Sequence, residues 1–166
     1  MIREFAEWLA ATQLSALLQN TAWVVPTSQS IHIASVGIVM ASAFTINLRL
    51  LGGGFKGRSI SELAGSLIPW MWRALAVLAT TGAVQITAEP SREFVTPVFW
   101  AKMVMVLVVS LMTTFFARRV RNNSAKWDEE GARPTGARSF AIVTSLLWIA
   151  IVVCGRFIGY TYALYL

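Results

Sequence analysis

Four long apolar runs, each closed by charge, glycine or proline, organise this chain. Each run approaches the roughly 20 residues that a helix needs to cross a hydrocarbon core of ~30 Å. The first covers 23–51, opens through Pro26 and closes at Gly52-Gly53-Gly54. The second covers 66–88 and ends at Glu89-Pro90. The third, 96–118, starts at Thr96-Pro97, a capping residue followed by proline at the first helical position, and ends in Arg118-Arg119. The fourth covers 139–162. The polar stretches 52–65 and 120–138 read as aqueous loops. The pattern predicts an all-α, integral membrane four-helix bundle forming a single membrane domain, 1–166.

The first 21 residues follow another pattern. Ile2, Phe5, Trp8 and Leu9, then Leu14, Leu17 and Leu18, give two short apolar faces with a break at Thr12. Glu4 and Glu7 are at odds with the basic start of a secretory signal, and Thr12, Gln13 and Ser15 interrupt an apolar core. The segment is expected to be amphipathic and to lie in the membrane interface.

Composition supports the membrane reading. The chain is 56% hydrophobic and 13% charged, against about 25% charged in a soluble domain. Its net charge of +6 is concentrated at the ends of apolar runs and forms no continuous stripe, so no nucleic-acid partner is expected. The loops after the first and third runs hold Arg49, Lys56, Arg58, Arg118, Arg119, Arg121, Lys126, Arg133 and Arg138, nine of the fourteen Lys and Arg. Basic loops stay in the cytoplasm, which places both termini on the outer face of the membrane. Trp23, Trp100, Tyr160, Tyr162 and Tyr165 would form an outer aromatic belt and Trp70 and Trp72 an inner one, with Trp148 packed between helices. The single cysteine, Cys154, excludes an internal disulfide or a thiolate zinc site and reads as a small buried residue.

Ionisable groups inside the apolar runs carry any chemistry, because each is costly there. Counting at 1.5 Å per residue, His32 lies about 9 Å past Pro26 and Lys102 about 7–8 Å past Pro97. Arg156 falls about 25 Å along the fourth run, roughly 5 Å below the same outer face. Gln29 shares the His32 face and Tyr160 the Arg156 face, one turn away in each case. Three cationic or cationisable groups therefore fall in one layer, where they would suit a carboxylate, a phosphate or a heme propionate. The competing reading is separate snorkelling of Lys102 and Arg156 to headgroups. Arg73 reads as a headgroup or interhelix partner, and Gly155-Arg156-Phe157-Ile158-Gly159 as a close-packing spacing.

Gln29-Ser30-Ile31-His32, Asn47-Leu48-Arg49-Leu50-Leu51-Gly52, Pro69-Trp70, Thr81-Gly82, Glu89-Pro90, Phe99-Trp100-Ala101-Lys102 and Gly155-Arg156-Phe157-Ile158 together resemble a family of small four-helix bacterial membrane proteins with no assigned function. The first-run histidine followed by Met40 and Arg49, together with Trp100-Ala101-Lys102, is more distantly similar to HemJ-type protoporphyrinogen oxidases and CopD-like membrane domains. That similarity implies a heme-associated role for His32 and an activity-linked role for Lys102. The fourth-run pattern of those enzymes is replaced here by Gly155-Arg156-Phe157, so the similarity extends to a heme site and not to the oxidase reaction.

Three functions compete on this reading. The first is a heme b protein of membrane electron transfer or oxidoreduction. His32 would be its axial metal ligand, with Lys102, Arg156, Gln29 and Tyr160 around the cofactor. A single histidine per chain leaves the second ligand to a Met, a neutral Lys102, water, or a neighbouring chain in a homo-oligomer. The second is a cofactor-free anchor for a partner membrane or periplasmic subunit, or a lipid- or quinone-binding protein. The third is copper handling by Met40, Met71, Met103, Met105 and Met112, against which Met103 and Met105 lie about 160° apart around their helix. With no Asp or Glu well inside any run, a carboxylate proton relay is not expected.

Overall fold

A computed structural model describes residues 1–55, 57–128 and 136–161. Among them the chain is all helical, and four helices are long and apolar enough to cross a membrane. These are α3 (Val24–Leu51), α4 (Ile60–Ala88), α6 (Pro97–Asn122) and α8 (Ala137–Thr161). The shorter helices are α1 (Ile2–Ala10), α2 (Gln13–Asn20), α5 (Pro90–Phe94) and α7 (Ser124–Asp128). The protein is a multi-pass membrane protein.

Helix α3 packs along α4 on one side and α8 on the other, while α6 packs mainly on α8 and touches α4 sparsely. The core runs between them through Val39, Ile46, Leu50, Ile68, Met71, Val109, Phe116 and Trp148. The outer faces of α6 and α8 stay apolar and exposed, at Val104, Leu107, Leu111, Leu146 and Ile149 among others. Such surface is what lipid tails would cover. Inside the bundle, Asn47 Nδ2 donates to Thr144 Oγ1 at 3.1 Å and to Ser145 Oγ at 2.9 Å. This buried contact joins α3 to α8 where lipid offers no partner.

The two ends of the bundle differ. At one, here termed the capped end, α1 packs on α5 and α2 on α4. Thr12 makes the break between α1 and α2: it accepts from Ser15 N at 3.2 Å and donates to Leu9 O at 2.7 Å. Gln19 Nε2 reaches Ala88 O at 2.7 Å, satisfying a carbonyl at the end of α4. Phe5 meets Phe94 edge-on at 5.6 Å, and Trp100 Nε1 donates to Phe94 O at 3.0 Å. At the opposite, basic end, α3 stops at Gly52, which adopts φ 80 and lets its N–H and that of Gly53 reach the last carbonyls.

Several boundaries depart from the hydropathy pattern. Helix α4 begins at Ile60 and not at 66, because Ser59 accepts from Glu62 N at 3.1 Å and Ile60, Leu63 and Ala64 are buried. Asp128 also caps this start, accepting from Ser61 N at 3.0 Å and closely from Ser61 Oγ. Helix α6 continues past Arg118-Arg119 to Asn122. Thr96 stands at its N-cap but does not cap it by its side chain: the hydroxyl is fully buried and donates backward to Arg92 O at 2.9 Å, tying α5 to α6. Tyr162, Tyr165 and Arg133 lie outside the described residues.

Candidate functional site

The sequence layer at the capped end divides into two parts. His32, on α3, turns toward α4, where its Nδ1 lies 2.7 Å from Thr81 Oγ1. Thr81 Oγ1 also lies 2.8 Å from Val77 O; where its hydrogen goes to that carbonyl, Thr81 accepts and His32 Nδ1 donates. In the neutral ring this leaves Nε2 with its lone pair. Gly82 stands beside the ring: a Cβ at that position would meet His32 Cε1 at 3.8 Å, ordinary contact distance. Ser28 Oγ reaches Thr81 O at 3.2 Å, a second tie between the same helices.

Lys102 is half-buried and turns toward α8, where its Nζ would be 3.6 Å, and its Cε 3.8 Å, from a Cβ on Gly155, so the lysine tip lies against that glycine. Lys102 is within electrostatic reach of His32, Cys154 and Glu93. Glu93, on α5, is only 8% exposed. Arg92 Nη2 stands 3.6 Å from its Oε1, and Arg92 Nη1 closely pairs with Glu89. Burial lifts the Glu93 carboxyl above the ordinary carboxylate range, against the opposing pull of Arg92 and Lys102.

Arg156 is not part of this group. It is exposed, with its guanidinium 5.7 Å from the centre of the Tyr160 ring, itself 66% exposed. Gln29 is half-buried one turn before His32, with no hydrogen bond to it. Arg73 is exposed over Trp70 at 5.0 Å. Trp148 is buried in the core, while Cys154 is only half-buried. Of the methionines, Met71 is core and Met40 and Met105 pack against it. Among the described residues, no three His, Cys, Asp or Glu side chains gather as a metal site.

Sequence reasoning gave Glu93, Glu89, Arg92 and Thr81 no part in the site, although Thr81-Gly82 and Glu89-Pro90 stand among the residues of the family resemblance. Thr81-Gly82 pairs a hydroxyl with a small residue one step on, which is a signal for a tight helix contact. Glu89-Pro90 and Thr96-Pro97 bracket a segment short enough to be pinned at both ends, and that was the available sign of Glu93.

An open cleft of about 700 Å³ enters the capped end beside this group. It is lined by Gln19, Val25, Pro26, Glu89, Ser91 and Arg92, among others. A second void, of about 20 Å³, lies in the core beside Asn47, Thr144 and Trp148. Neither includes His32, Lys102 or Arg156.

Residues 5–161 match the model of a family described as a family of unknown function, DUF6644. No curated protein and no solved structure matches the chain.

Proposed function

We propose, from the premise that this chain belongs to the DUF6644 family of unknown function, that it binds the head of a quinone-class lipid in the layer of His32 and Lys102. The observation that carries this is the place of Lys102: its tip lies against Gly155, within electrostatic reach of Glu93 and of His32. A lysine with an internal counter-charge has no need of an anionic ligand. It remains a donor of up to three hydrogen bonds, and His32 Nε2 adds an acceptor in the neutral ring. A carbonyl or hydroxyl head with an apolar tail matches that pair, and the exposed apolar flank of α6 gives the tail a place among lipids.

The test is quenching of tryptophan fluorescence in the detergent-solubilised full chain by a short-chain benzoquinone. Saturable quenching is expected, with Trp100 and Trp23 as reporters. His32→Ala and Lys102→Met should each weaken binding by about tenfold, the size of one hydrogen bond in a partly dry site. Non-saturable quenching, or saturation unchanged in both variants, overturns the reading.

A second reading has its own observation. Donation of Nδ1 to Thr81 is how a metal-binding histidine is commonly oriented, so heme b on His32 Nε2 is favoured if two copies of the chain form a slot for it. A Soret band in protein from heme-replete cells, lost in His32→Ala, supports it; a colourless preparation removes it.

We further propose that the basic end faces the cytoplasm and the capped end the periplasm of a bacterial inner membrane. The loops at 52–59 and 120–138, with Arg49, Arg118 and Arg119 at the helix ends beside them, hold nine of the fourteen Lys and Arg. On that orientation α1 and α2 rest in the outer interface, with Ile2, Trp8, Leu14 and Leu17 exposed toward it.

A further inference from the structure

We infer that the cleft at the capped end is a second binding site, built for a zwitterionic phosphoethanolamine head, whose ammonium goes to Glu89 and whose phosphate goes to Arg92. The site is separate from the His32–Lys102 layer, since neither of those residues lines it, and it does not rest on the quinone reading.

The cleft, of about 700 Å³, carries an ion pair in its wall: Arg92 Nη1 pairs closely with Glu89, and both residues line the space. The two side chains are 27% and 39% exposed, so a ligand in the cleft can reach both. Neither group is saturated by the other. Arg92 Nη2 stands 3.6 Å from Glu93 Oε1, longer than a hydrogen bond, and Arg92 Nε is buried with no acceptor among the described residues. Gln85 Nε2, one turn before Glu89 on α4, is a second buried donor without one among them. A guanidinium has five N–H donors, and one close contact leaves it short of acceptors. The Glu89 carboxylate, with about four lone-pair sites, has room for donors beyond Arg92. Gln19, also in the wall, commits its amide hydrogens to Ala88 O and Ser15 Oγ, so its side-chain oxygen is the acceptor it can still offer.

Glu89 and Arg92 sum to no net charge, so a simple anion or cation in the cleft meets its own sign as closely as the opposite one. A phosphodiester with an ammonium two carbons away is neutral overall and answers both groups at once, its charges alternating with theirs. Against a protein wall, where the effective dielectric is lower, each such contact is stronger than in water. The level of the cleft suits a lipid head. Val25 and Pro26 lie in the first turn of α3, and Ala88 is the last residue of α4. The 28 residues of α3 span about 42 Å at 1.5 Å per residue, longer than a ~30 Å hydrocarbon core and close to the ~40–45 Å that includes both headgroup layers. Its ends therefore fall among headgroups, and Leu17 and Trp23, exposed at the same end, give acyl chains a surface.

The experiment titrates the detergent-solubilised full chain with dihexanoyl phosphatidylethanolamine, phosphatidylcholine and phosphatidylglycerol, followed by calorimetry. The choline lipid keeps both charges and lacks the ammonium hydrogens; the glycerol lipid keeps the phosphate and lacks the cation. Wild type should bind the ethanolamine lipid saturably and at least about tenfold more tightly than either of the others, the size of one hydrogen bond to a charged group. Glu89→Gln should remove that preference, and Arg92→Gln should weaken all three lipids. If either variant does not fold, Ala10→Trp fills the cleft from α1 without touching its charges and should weaken the ethanolamine lipid by at least about tenfold. Glycerophosphoethanolamine, the same head without tails, identifies the source: affinity equal to the lipid's means a free head, and weaker affinity a membrane lipid. A wild type without preference for the ethanolamine lipid, or a preference that survives Glu89→Gln or Ala10→Trp, overturns the inference. Quinone is titrated alongside. Its failure with this preference intact defeats the quinone reading alone, and the reverse result defeats this site alone.

Discussion

His32 is oriented by one hydrogen bond, and that bond can be tested without touching the histidine. Thr81→Val keeps the volume and removes the acceptor of Nδ1–H. The expected loss is about 0.6 kcal/mol and at most ~1.7 kcal/mol, the range for interhelical hydrogen bonds in membranes. Unfolding equilibria in mixed detergent measure it; unchanged stability would mean that the contact contributes nothing. Gly155 gives a second test. An added Cβ would stand 3.6–3.8 Å from the lysine tip, ordinary contact distance, so Gly155→Ala should retain quinone binding. Gly155→Leu should lose it, because the longer side chain takes the place of the Lys102 ammonium. Equal binding by the two variants would separate Lys102 from the ligand. The depths of His32 and Lys102 were legible in the sequence because both lie within two turns of a proline that starts or bends a helix, and rise per residue is fixed. Direction around the helix was not. Arg156 follows the residue that faces Lys102, and one step of 100° puts it outside.

Helix starts show what a hydropathy pattern omits. Ser59-Ile60-Ser61-Glu62 reads as polar linker by hydropathy, yet Ser59 caps α4 and Ile60 is buried. Ser59→Ala should cost about 0.5–2 kcal/mol, the usual value of a lost N-cap, and hydrogen exchange should rise first over residues 60–64. Asp128 supports the same turn from α7. Burial pushes its carboxyl up, but hydrogen bonds from Ser61, Ser59 and Ile60 together outweigh that and hold it below the ordinary aspartate range. A depressed acid contributes its stability above its unfolded pKa and loses it as pH falls through the folded value. Acidification below the usual aspartate range should therefore release α7 from α4, seen as a change in Trp127 emission as its edge contact with Phe116 loosens. Asp128→Asn should abolish that transition; a transition surviving the substitution assigns it elsewhere. Helix α5 was illegible for a related reason: five residues are too few for a periodic pattern, and the prolines that bracket it read as ends of its neighbours.

The arrangement of the four long helices was open to sequence reasoning because every apolar run matched one membrane thickness. Their pairing was not, since the polar residues of α3 are spread around it and leave no single apolar face to assign. Orientation is the property of the complete chain most directly checked. On a Cys154→Ala background, a cysteine at Asn123 should resist a membrane-impermeant thiol reagent in intact cells, and a cysteine at Ser91 should react. Reaction at Asn123 alone would invert the protein and place the His32 layer near the cytoplasmic face.

The two ties on α5, from Thr96 to Arg92 and from Trp100 to Phe94, bear on which insertions the chain can absorb. Connections at a protein surface ordinarily tolerate added residues. The turn at 52–54 has that freedom: a residue added beside Gly54 meets open space. Between Pro90 and Pro97 the spacing acts as a ruler, because both its ends are fixed and Glu93 is measured off from them. One glycine inserted after Phe94 would lengthen the chain inside both ties and shift the Glu93 carboxyl from its buried place, while leaving every side chain of the segment in the sequence. Length, and not composition, is what that segment must preserve.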